Sequence, residues 1–78
     1  MLDGTRIRQL RLQHALSQSQ LGSLLEKDAQ YVSKLERGIL VNVTAETLER
    51  LADALECSTD YLLGREDEPS DLLAAVVA

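Results

Sequence analysis

Among its 78 residues the chain has no Trp or Phe, two Tyr, one Cys and one Pro. Without large aromatic rings the core must be aliphatic, and sixteen Leu and eight Ala against seven Val and Ile favour helices over strands. At a length below the roughly 100 residues of a typical domain, there is room for a single core. The lone Cys57 cannot form an internal disulfide, and with His14 the only histidine no metal-ligand spacing is present. No stretch approaches the roughly 18 apolar residues of a membrane span, and the first eight residues lack the apolar stretch of a signal peptide. The chain therefore reads as cytoplasmic and without a metal or other cofactor. No base and nucleophile pair accompanies His14 and there is no glycine-rich phosphate loop, so an enzyme is not expected. Basic residues are scarce too: 8 Lys and Arg stand against 13 Asp and Glu, a net charge of -5 that at face value opposes a phosphate-rich partner.

What the chain does contain is helical periodicity in five short segments, each with readable punctuation. Ile7 and Leu10 set the inward face of a first helix over about residues 5–14, with Ala15 and Leu16 continuing it. Ser17 and Gln20 have the spacing of a capping box and open a second helix, whose inward residues are Leu21, Leu24 and Leu25. Gly22 inside that helix costs about 1 kcal/mol of propensity relative to Ala, which points to a close backbone approach there. Asp28 caps a third helix with Val32 and Leu35 inward, and Gly38 ends it. The loop that follows, residues 39–43, is too apolar to be fully solvated and must partly pack back. Thr44 caps a fourth helix with Leu48, Leu51, Ala52 and Leu55 on one face, and Ser58 caps a brief fifth one ended by Gly64. His14 reads as an exposed residue at a helix end, and Cys57 as a small hydrophobe.

The second and third segments form the layout of a helix-turn-helix, two short helices joined by a tight turn. In such a pair the first two turns of the second helix reach base edges in the major groove. Those residues are Asp28, Ala29, Gln30, Ser33 and Lys34. Gln30 suits the N6/N7 edge of adenine, Lys34 suits guanine O6/N7 or a phosphate, Ala29 offers a methyl for thymine, and Asp28 can accept from cytosine N4. Arg37 reads equally well as a phosphate clamp or a surface charge.

Residues 7–11 (IRQLR), 16–21 (LSQSQL), 32–38 (VSKLERG), 46–55 (ETLERLADAL) and 58–64 (STDYLLG) stand in an order and spacing that resembles the Cro/Xre-type phage-repressor helix-turn-helix family. The resemblance covers about residues 4–64. It implies an all-α, compact five-helix, lambda-repressor-like domain that binds double-stranded DNA as a homodimer, third helix in the major groove. It places the base-reading positions at Ala29, Gln30 and Lys34. Phosphate contacts fall at Ser17 and Gln18, where the second helix begins, and at Asn42, Val43 and Thr44. It also implies a structural ion pair between Arg11 and Glu36. The family often has Gly and an aliphatic residue where this chain has Glu26 and Lys27, and Ala where it has Gly22.

The expected organisation is a DNA-binding domain over residues 1–64 and an acidic linker with an apolar tail over 65–78. Tyr61, Leu62, Leu72, Leu73 and Val76 are the candidate dimerisation residues, since so many apolar side chains are uncomfortable in water. The expected function is a sequence-specific transcriptional regulator, a repressor on a two-fold operator. The competing reading is a protein-binding module, such as an antitoxin or antirepressor partner, whose acidic half holds a basic protein. The charge is divided: residues 1–43 carry six Lys or Arg and four Asp or Glu, and residues 44–78 carry two and nine. The helix-turn-helix half is mildly basic, a polarity that would turn the C-terminal helices away from DNA.

Overall fold

A computed structural model describes residues 2–65, in which five helices follow one another. They are α1 (Gly4–Gln13), α2 (Gln18–Leu24), α3 (Ala29–Glu36), α4 (Ala45–Leu55) and α5 (Thr59–Leu62). Every one of them starts at an oxygen-bearing cap. Asp3, Ser17, Asp28, Thr44 and Ser58 each accept a hydrogen bond from a backbone N–H of the first turn. At Ser17 the capping box is complete, because Gln20 Oε1 also accepts from the Ser17 amide at 2.8 Å.

Helix α1 starts one residue earlier than the periodicity suggests and stops sooner. Asp3 supplies the cap, and Ala15 does not continue the helix: it adopts a left-handed φ of 55° and is exposed. His14 is the C-cap. Helix α3 ends at Glu36, with Arg37 as C-cap and Gly38 at φ 75°, the backbone that glycine permits without strain.

Ile7, Leu21, Leu25, Val32, Leu35, Leu51, Leu55 and Leu62 are almost wholly removed from water and form the centre of the core. Full burial of each is worth about 1.5–3 kcal/mol. Leu40 and Val43 pack back onto this core from the loop before α4, as its apolar character demands. Leu2 is also buried, so the chain preceding α1 belongs to the core.

Two expected placements are overturned. Leu24 was expected inward, yet it is 53% exposed. Gly22 is buried, and a helix turns about 100° per residue, so the buried arc runs from Leu21 through Leu25 to Gly22 and leaves Leu24 beyond its Leu21 edge. Leu62 was expected at a dimer surface, but it has no exposed area, and its carbonyl accepts from the Asp3 amide at 2.9 Å. It is a core residue and cannot meet a partner.

Candidate nucleic-acid interface

The α2–turn–α3 unit is built on one close approach. A Cβ at Gly22 would lie 2.6 Å from the Asp28 carbonyl carbon and oxygen, so only glycine lets α2 sit this near the start of α3. The turn between them begins at Glu26, whose φ of 59° is left-handed. Glycine takes that conformation without strain, which explains the family's preference there. Here the Glu26 side chain is paired with Arg50 of α4, which also contacts Glu46 at 2.7 Å. The sequence offered no sign of this clamp, since Arg50 lies 24 residues from Glu26.

Helix α3 is fixed from behind by a second polar group. Arg11 Nε lies 2.5 Å from Glu36 Oε2 and its Nη2 lies 3.2 Å from Oε1. The two side chains are only 10% and 4% exposed. Arg11 Nη1 also donates to the Leu16 carbonyl at 2.8 Å, and Gln18 Nε2 donates to Glu36 Oε1 at 3.2 Å. One buried cluster thus ties α1, the start of α2 and the end of α3 together. Its donors satisfy both carboxylate oxygens, as a charge out of water requires.

On the opposite side α3 presents its polar residues. Gln30 and Lys34, one helical turn apart, are exposed, and Ala29 and Ser33 beside them are half-buried. Asp28 is exposed, with Oδ1 accepting from the Tyr31 amide as the cap. Arg37 is exposed and its Nε donates to the Ser33 carbonyl at 3.4 Å. At the start of α2, Ser17 is exposed while half-buried Gln18 is already engaged by Glu36. On the loop before α4, Asn42 and Thr44 are exposed, but the Thr44 hydroxyl is occupied by Thr47. Val43 turns its side chain to the core, so it can offer only its backbone N–H. Of the candidate dimerisation residues, Tyr61 is half-buried, with the Arg6 guanidinium 4.3 Å over its ring. Leu72, Leu73 and Val76 lie outside the described residues.

Two side chains near the start of α3, Lys27 and Tyr31, were not among the candidate site residues. Lys27 Nζ lies 5.4 Å from the centre of the Tyr31 ring, and burial pushes the Tyr31 phenol above its usual pKa, opposed by a hydrogen bond with Thr47. They border a cleft of about 500 Å³ that also includes Asn42, Thr44 and Arg50. Lys27 precedes the cap of α3, so helical spacing gave no signal of this contact. Among the described residues no group of His, Cys, Asp and Glu could hold a metal ion, and no helix is long and apolar enough to cross a membrane.

Known proteins share this arrangement. A family model described as helix-turn-helix matches residues 7–62. The P22 c2 repressor, solved in complex with a synthetic operator, superposes with a TM-score of 0.77 at 35% identity, over 85% of this chain and 98% of that one. The SinR/SinI protein complex contains a chain that superposes with a TM-score of 0.73 at 28% identity, over 99% of this chain and 75% of that one. No curated protein matches the chain.

Proposed function

The chain belongs to the Cro/Xre-type helix-turn-helix family, and on that premise we propose that it represses transcription by binding a two-fold operator as a homodimer, with α3 in the major groove. The observation that carries this reading is the two-sided character of α3. Val32 and Leu35 are locked in the core and Glu36 is held by Arg11, while Gln30 and Lys34 stand in solvent on the outer face. A helix held this way offers its polar edge to bases with little loss of side-chain freedom elsewhere.

In this reading Asp28, Ala29, Gln30, Ser33 and Lys34 face base edges. Ser17, Gln18, Arg37, Asn42, Thr44 and the Val43 amide face phosphates. The P22 c2 repressor bound to its synthetic operator supports the DNA partner. No catalytic step belongs to this reading. Residues 1–64 form the binding unit, and Tyr61 with Leu72, Leu73 and Val76 joins the two copies. Sedimentation of a chain ending at Arg65 tests the last point: an unchanged dimer would remove the tail from the account.

A protein partner is the second reading, supported by the SinR/SinI complex and by the acidic, exposed Glu49 and Asp53 on α4. A salt titration separates the two. DNA binding should weaken steeply with salt, and a selected site should exceed random duplex by at least about a thousandfold. Weak binding with no salt dependence would overturn the DNA reading.

A further inference from the structure

We infer that the short segment before α1, Leu2 and Asp3, is a positioning strap that fixes the height of the phosphate-facing loop, an inference that rests on the DNA-binding reading. The Leu2 side chain is buried in the core, and its amide donates to the Val41 carbonyl at 3.3 Å. The Asp3 amide donates to the Leu62 carbonyl at 2.9 Å, so the segment is anchored between α5 and the loop before α4.

The loop needs that anchor. Its first residues, Ile39 and Leu40, donate to the Lys34 carbonyl, and its last, Thr44, caps α4. Between them, among the described residues, the one main-chain hydrogen bond made by Val41, Asn42 or Val43 is the bond from Leu2. Asn42, the exposed side chain in the middle, is thus two-sided in its support: Leu40 and Val43 are held by packing, and the chain at Val41 is held by Leu2. A loop already ordered before DNA arrives pays no ordering cost on binding, so a contact made by Asn42 depends on a bond nearly forty residues earlier in the chain.

The strap itself cannot slide. Asp3 caps α1 through Thr5 and Arg6, and Arg6 reaches the Tyr61 carbonyl at 2.9 Å. A Cβ at Gly4 would lie 2.6 Å from the Glu36 carbonyl oxygen, which seats the start of α1 against the end of the recognition helix. One segment therefore registers the loop to both α3 and α5.

The test uses the full chain with Leu2→Ala, and a second version carrying an ester in place of the Met1–Leu2 amide, which removes the Leu2 N–H and keeps the side chain. Backbone ¹⁵N order parameters of residues 41–43 should fall from about 0.85 toward 0.6 in both, with α1 to α5 unchanged. Binding to a selected duplex and to random duplex should weaken together by several-fold, leaving their ratio intact, and the salt slope should not change, because Asn42 carries no charge that would release a counterion. Asn42→Ala combined with either change should cost less than the sum of the two alone, whereas Gln18→Ala should combine additively. Unchanged order parameters in the ester, or additivity with Asn42→Ala, would overturn the strap. If Asn42→Ala leaves both duplexes bound as before, the phosphate role of the loop fails instead, and the order parameters alone decide whether Leu2 fixes it.

Discussion

His14 Nε2 lies 3.1 Å from Glu56 Oε2, joining the C-terminal end of α1 to that of α4. Its Nδ1 is 2.9 Å from the Leu10 carbonyl, so both ring nitrogens face acceptors. A neutral imidazole has one N–H and satisfies one of them, while the imidazolium satisfies both. The Leu10 carbonyl first and Glu56 second raise the pKa of His14 above 6.5, against a smaller opposing effect of burial.

A pH dependence of stability follows. The raised folded value means that the contribution is fully present below about pH 6.5 and is lost as the pH rises through the folded pKa. The difference in urea unfolding free energy between the protein and His14→Ala should be largest near about pH 5.5 and shrink above about 6.5. A difference independent of pH would show that the ring acts by packing alone.

Gly22→Ala sets two effects against each other. Helix propensity favours Ala by about 1 kcal/mol. The new methyl would meet the Asp28 backbone, which cannot rotate away as a side chain can, and overpacking of this kind costs about 1–3 kcal/mol. The sterics prevail or at best cancel the gain. Denaturant unfolding should show no stabilisation, and operator affinity should fall as α3 is displaced from α2.

Removing one member of the Arg11 and Glu36 pair leaves the other charge buried. Arg11→Met or Glu36→Leu alone should cost about 3–5 kcal/mol, and the two together should cost less than either. Thermal unfolding of the three variants checks this. Equal, additive losses would mean that the pair is not a coupled unit.

Gln30→Ala should relax preference at one base pair by about 1–3 kcal/mol of discrimination and leave random-duplex binding near its starting level. Gln18→Ala should weaken every sequence alike. It should also lower stability somewhat, since Gln18 donates to Glu36. Competition binding against single-base variants of a selected site distinguishes the two, and identical behaviour would overturn the division of roles.

The caps at Ser17, Asp28, Thr44 and Ser58 were legible because they depend on local chemistry: a short polar side chain, a free amide two or three residues on, and an apolar run behind. The close approach at Gly22 was legible for a similar reason, as a local cost that needed an explanation. Leu24 and Leu62 were misplaced because apolar spacing names an arc and not its centre. The arc of α2 is turned toward Gly22, which meets Asp28, and the Leu62 side chain lies in the core while its carbonyl accepts from Asp3. Arg11 with Glu36 was expected from resemblance to a family, and its geometry carries Leu16 and Gln18 as well.

By itself, then, the order of residues determined five helices, four of them with their caps, a helix-turn-helix and an aliphatic core, since propensity, capping and periodicity act within a few residues. Tertiary structure decided the rest. Arg50 holding Glu26, His14 reaching Glu56, and Leu2 bonded to Val41 join positions about 24 to 42 residues apart, and such contacts exist only after the loops between them have closed. The scarcity of basic residues was likewise resolved in space, where Gln30 and Lys34 face outward on one helix and Glu49 and Asp53 on another.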